Sequence, residues 1–261
     1  MRDDGPTSDE LFEFVERRVA HVQDFLEFAS HHEHEARRTG ESHRSLRLEN
    51  RPDIPAAGRA CELFPDPWWA ITVYTCFGSI RGATAVAGAF QHPRALPEAE
   101  LALAAIELPR GAIGHHRIQP GHKGARIALL SACDQAALFH QVLTGRGTFE
   151  QRCARVRAAH LPQWGRTTTF DLVLRGGALR VSGQDYRPTT AFLEGSTGPR
   201  KGFEKIFGVN LDESGAAWGE ALLRSWSAHW SEVAAQAGVA WEGAPYDSGD
   251  FENALCIYQE R

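Results

Sequence analysis

The sequence predicts a mainly α protein, a single globular helical domain with at most a small β-hairpin. Three observations predict it. Apolar residues recur at three- and four-residue spacings, as on one face of a helix. Period-two runs of β-branched residues, the mark of strands, are sparse. Helix start and stop signals such as Thr7-x-x-Glu10, Gly40 and Pro162 bound the periodic stretches. At 261 residues, 43% hydrophobic and 23% charged, the composition is that of an ordinary globular protein with room for a sizeable core.

The elements follow in order. Thr7 and Glu10 form a capping box, and Phe12, Val15, Val19, Val22, Leu26 and Ala29 make one helical stripe that ends before Gly40. Residues 39–58 are polar, carry Pro52 and Pro55, and read as a linker or surface loop. The division expected is residues 1–58 as an N-terminal helix and polar linker, and residues 59–261 as a helical catalytic domain. Residues 68–91 read as one or two core helices, 97–106 as a short helix, 125–143 as a strong apolar helix and 149–160 as an Arg-rich one. A further helix begins at 166, with Gly176-Gly177 as its stop. Leu179, Arg180 and Val181 suit a strand of a small hairpin. Residues 200–207 read as a short helix, and 213–236 as a long one with Trp218, Leu222, Trp226, Trp230 and Val233 as its packing stripe.

Charge is unevenly placed. Residues 108–205 hold 15 Lys+Arg against 6 Asp+Glu, whereas the whole chain carries a net −5. A local positive field of this kind attracts phosphate, so nucleic acid or a phosphorylated ligand is the expected partner. Five cysteines, an odd number without Cys-x-x-Cys spacing, read as free thiols in a reducing cytoplasm. The charged start of the chain shows no secretory signal. The most apolar window, residues 68–90, is interrupted by Arg81 and glycines, and predicts a buried helix and no membrane span.

Three basic runs lie in the central block. The run 195–202 offers glycines for close backbone approach to an anion, with Ser196, Thr197, Gly198, Arg200 and Lys201 as contacts. The run 109–126 offers Arg110, His116, Arg117 and Lys123, and no acid; its histidines lack the partners a zinc site needs. In the third run, Trp164 is a candidate to stack on a base, with Arg166 beside it. Asp171, the sole acid between residues 151 and 184, suits either a general base or an ion-pair partner of Arg166 or Arg175. Near the end, Glu252 and Asn253 are polar residues in an apolar run that reach into a site or cap the last helix. The run 31–35, with three histidines and two glutamates, reads as a solvated helix end. No metal and no cofactor are expected.

In their order, the runs 109–111, 164–171, 196–202 and 252–256 resemble the alpha-glutamyl/putrescinyl thymine pyrophosphorylases, the amino acid:DNA transferases of phage thymine hypermodification. The resemblance covers residues from about 62 onward. It implies a mainly helical enzyme acting on pyrophosphorylated 5-hydroxymethyluracil in DNA, with an amine or amino acid displacing pyrophosphate. It implies catalytic roles for Asp171, Arg166 and Glu252, and leaving-group contacts from the basic residues. The alternatives are a helical glycosylase-like base-processing enzyme and a non-enzymatic nucleic-acid-binding protein.

Overall fold

The computed structural model describes residues 6–114, 121–211 and 215–261. It is 67% helical, in fourteen α-helices, with no strand among the described residues. The mainly α reading therefore holds. The chain divides into two compact units, one of Met1–Arg51 with Pro188–Arg261, the other of Pro52–Arg187.

The first unit opens with α1 (Ser8–Arg17) and α2 (Val19–Thr39). The second holds α3 (Asp53–Cys61), α4 (Pro67–Phe77), α5 (Ile80–Ala89), α6 (Leu96–Ala105), α7 (Gly121–Asp134), α8 (Ala136–Thr144), α9 (Phe149–Ala158) and α10 (Arg166–Ala178). The first unit resumes with α11 (Thr197–Phe207), α12 (Ala216–Ala228), α13 (Trp230–Gln236) and α14 (Ser248–Tyr258).

In the first unit, α1 starts at the capping box predicted from Thr7 and Glu10. The stripe then breaks. Arg18 leaves the helical region (φ −125°, ψ 21°), and its guanidinium donates to the Ile206 carbonyl at 3.2 Å. Val19 is consequently 39% exposed, while Val15, Val22, Leu26 and Ala29 are buried. The long helix expected at 213–236 also breaks, at His229 (φ −112°, ψ 31°), whose ring meets the Ser8 hydroxyl at 3.0 Å. Phe25, Trp226, Trp230, Tyr246, Phe251 and Tyr258 form the aromatic centre of this core.

Helix α11 lies hard against α14. A Cβ on Gly202 would stand 2.2 Å from the Leu255 carbonyl oxygen. Backbone cannot yield as a flexible side chain does, so the helices must separate to admit a methyl group. Gly202→Ala is expected to destabilise the protein by about 2 kcal/mol despite alanine's better helix propensity, read as a shift in the urea midpoint.

The stretch read as a linker is a built segment. It holds two short 3₁₀ turns, Ser42–Arg44 and Leu48–Asn50, and Ser45, Leu46, Leu48 and Arg51 are buried. Buried carboxylates explain this. Glu33 of α2 accepts hydrogen bonds from the Ser45 hydroxyl (3.0 and 2.9 Å) and the Leu46 amide (3.0 Å). Asp250 of α14 accepts from the Leu48 amide (2.9 Å) and from Arg47 (2.9 Å). A polar sequence thus lies inside because its polar groups are matched.

In the second unit, the apolar stretch 125–143 divides at Gln135 (φ −108°, ψ 32°) into α7 and α8. Gly176-Gly177 does not stop α10, which runs on to Ala178. The glycines are there because Tyr186 lies over them: a Cβ on Gly177 would stand 2.2 Å from the Tyr186 carbonyl oxygen. The strand expected at Leu179–Val181 is instead a Schellman cap, with Arg180 in the left-handed region (φ 50°). The Val181 and Arg180 amides donate to the Gly176 and Gly177 carbonyls at 3.0 and 2.9 Å, which closes the helix end.

Candidate functional site

Between the end of α9 and the start of α10 the second unit has an open cleft of about 690 Å³. Arg157, His160, Gln163, Arg166, Thr167 and Thr168 supply its polar lining, and no Asp or Glu lines it. Gly165 caps α10 without a side-chain hydrogen bond, so the first amides of a thirteen-residue helix face this region. The connection is unusual in its backbone. His160 (φ 47°) and Gln163 (φ 67°) both occupy the left-handed region, which side chains other than glycine and asparagine enter at a cost.

Thr168 stands out among these groups. It is 4% exposed and lines the cleft, and among the described residues its hydroxyl has no hydrogen-bond partner. The threonines Thr72, Thr84 and Thr144 instead bond the carbonyl one turn back, at 2.8, 2.9 and 2.8 Å. A basic, acid-free concavity with amides and a free hydroxyl at a helix start is a setting for an anion, phosphate above all.

Of the predicted site residues, Trp164 and Arg166 line this cleft. Trp164 is corrected from a stacking platform to a core residue: it is 3% exposed, donates its indole N–H to the Ala128 carbonyl at 2.9 Å and packs on Phe139 at 4.5 Å. A base needs an open ring face, and this indole has none to spare. Asp171 is 4% exposed and lies 3.6 Å from Arg175. Of the two roles open to it, the geometry favours the structural one. Arg175 also donates to Asp53 at 3.0 and 2.7 Å and to the Thr75 hydroxyl at 3.0 Å. Arg110 and Lys123 are exposed in the same unit, Lys123 on the first turn of α7. His116 and Arg117 lie outside the described residues.

The other predicted residues belong to the first unit, on or beside α11 and α14. Ser196 caps α11 without a side-chain bond, and Thr197 and Lys201 are exposed. At Gly198 a Cβ would stand 2.6 Å from the Cys256 sulfur. Arg200 spends two donors on the Leu193 and Glu194 carbonyls, both at 3.1 Å. Asn253 donates to the Leu46 carbonyl at 2.9 Å, and Glu252, 1% exposed, lies 3.5 Å from Arg51. Arg200, Glu252 and Asn253 thus hold the fold of their unit together. That makes structural ties of residues expected to touch substrate.

Burial also moves Asp250. Desolvation, with the charge of Asp247, pushes its carboxyl up to about 6 from an ordinary 3.8. A carboxyl raised in the folded state binds its proton more tightly there than in the unfolded chain. Its contribution to stability is therefore complete below about pH 4 and is lost as pH rises through 6. The stability of the protein relative to Asp250→Asn should shift in its favour by on the order of 2 kcal/mol from pH 7 to pH 4, measured by urea denaturation at both values.

Four of the five cysteines are poor nucleophiles. Burial pushes the Cys61 and Cys153 thiols up to about 11 and about 12, and raises Cys76 and Cys133 as well. Among the described residues no three His, Cys, Asp or Glu side chains are grouped to hold a metal ion. Glu35 pairs with Arg38 at 2.7 Å on the surface, while its neighbour Glu33 is buried, so the run 31–35 is only partly the solvated helix end expected. No described helix is long and apolar enough to cross a membrane. No protein-family model, curated protein or solved structure matches the chain.

Sequence reasoning missed Arg157 and His160 as site residues. The signal was the acid-free stretch 151–170, in which the Arg-rich helix and the Trp-Gly-Arg run adjoin. They were read as separate features because a turn at Pro162 divides them.

Proposed function

We propose that the chain is a DNA base-modifying transferase, in which an amine or amino acid displaces pyrophosphate from pyrophosphorylated 5-hydroxymethyluracil. The observation that carries the reading is the α9–α10 cleft, lined by Arg157, His160 and Arg166 without an acid. In the displacement, the bond from the exocyclic methylene to the pyrophosphate oxygen breaks and the oxygen keeps the electron pair. Arginines and helix amides lower the barrier by stabilising the charge that develops there. The incoming amine forms the new C–N bond and gives up a proton. His160, exposed in the cleft, is the group assigned to accept it, in place of the ion-paired Asp171. Arg110, Lys123 and Lys201 are exposed cations suited to DNA phosphates. The setting assigned is the cytoplasm of a bacterium or a phage-infected host.

Mass spectrometry of nucleosides tests the proposal. DNA carrying pyrophosphorylated 5-hydroxymethyluracil is incubated with the protein and a pool of amines and amino acids. A new amine-bearing thymidine is the expected product, and its mass names the amine. Release of a free base would assign a glycosylase instead. An intact substrate, bound in a salt-dependent way, would assign a binding protein.

A further inference from the structure

We propose that Gln163 reads the edge of a nucleobase, so that the cleft takes a nucleotide and not an isolated phosphate; this rests on the reading of the cleft as a phosphate site. Residues 161–164 form a turn closed by the Trp164 amide donating to the Leu161 carbonyl at 3.1 Å. Pro162 holds the second position, and the third has φ 67°. Turns with Pro second and a positive φ third favour glycine or asparagine there. This chain places glutamine at that position. The side chain is half-buried in the cleft wall, and among the described residues its carboxamide has no hydrogen-bond partner. Among the described residues no hydrogen bond of the fold uses that amide, and the backbone is strained at this position.

The neighbouring groups say what the amide meets. Thr168, 4% exposed and with a hydroxyl that has no hydrogen-bond partner among the described residues, sits on the first turn of α10 beside the helix amides and Arg166, where a phosphate oxygen is stabilised. Gln163 lies five residues before Thr168, at most about 18 Å of extended chain away, and both line the cleft. A ligand held by its phosphate at Thr168 therefore presents its next polar part near Gln163. A carboxamide offers one donor and one acceptor side by side, the pattern that pairs with a base edge. Because it can turn over, it matches the edge of thymine or uracil (O4 and N3–H) and, flipped, that of cytosine. Gln163 is thus assigned to demand a base, and other contacts to choose which base.

The test uses deoxyribose 5-phosphate, thymidine 5′-monophosphate and inorganic pyrophosphate, with affinity measured by calorimetry on the full chain. The unmodified protein is expected to bind all three, the nucleotide about tenfold more tightly than the sugar phosphate. Gln163→Gly removes the amide while suiting the left-handed backbone, so folding is retained and the melting temperature is equal or higher. It is expected to abolish the tenfold preference and leave pyrophosphate and sugar-phosphate affinity unchanged. Thr168→Val is expected to weaken all three ligands alike. If Gln163→Gly kept the preference, the base-reading role would be overturned with the phosphate site intact. If the unmodified protein bound none of the three, the phosphate site itself would fall, and this role with it.

Discussion

Arg175→Ala is expected to destabilise the protein by about 3–5 kcal/mol, the range for breaking a buried ion pair and leaving its partner behind. The guanidinium is the tie between three helices of the second unit. From α10 it donates twice to Asp53 at the start of α3, lies 3.6 Å from Asp171 one turn back, and donates to Thr75 of α4. It also lies over the Tyr74 ring at 5.2 Å. Without it, two carboxylates lose this cation at a site where the Asp171 side chain is only 5% exposed. Arg175→Met keeps most of the aliphatic volume and separates packing from charge. Both variants should lose most of the stated stability in urea unfolding followed by tryptophan fluorescence. A loss below about 1 kcal/mol would mean that the carboxylates find other partners at little cost.

Glu33→Ala is expected to cost about 3 kcal/mol or more, since it strands three donors at once. The Ser45 hydroxyl, the Leu46 amide and the Tyr246 hydroxyl (2.7 Å) all converge on this one carboxylate. In a chain of this size, such a loss lowers the melting temperature by roughly 6–12 °C. Hydrogen exchange gives a sharper reading, because the Leu46 amide should lose protection first. Glu33→Gln retains one acceptor oxygen but turns an N–H₂ toward donors, so its loss should be intermediate. Equal melting temperatures for Glu33→Ala and the unmodified protein would show that segment 42–51 contributes nothing to the fold.

Most helices were legible because their signals are local. The capping box at Thr7, the left-handed Gly40, the continuous apolar run of α4 and the apolar periodicity of α8 act within a few residues. The breaks at Arg18, Gln135 and His229 were not legible. At Arg18 and His229 the reward lies far along the chain, in the carbonyl of Ile206 and the hydroxyl of Ser8. The same applies to residues 42–51, which look like a linker until Glu33 and Asp250 come to meet them. The site was half legible. Excess charge marked the stretch of chain on which the candidate cleft lies, and Arg166, which lines it, is among the residues the sequence singles out. Charge and spacing carry no information on which indole is buried, as Trp164 is, or which arginine already bonds carbonyls, as Arg200 does.

The interleaved order of the two units bears on how the protein is made. A ribosome delivers α1 and α2 first, with Val15, Val22, Phe25 and Leu26 destined for a core that α11 to α14 complete. All of Pro52–Arg187 must emerge before those later helices begin. At about 5–20 residues per second, the nascent N-terminal helices wait roughly 10–40 s for the last of their partners. Throughout that interval the inserted unit has all of its own sequence in hand before its host does, while an apolar helix pair stays uncovered outside the exit tunnel, a natural client for a chaperone that holds nascent chains.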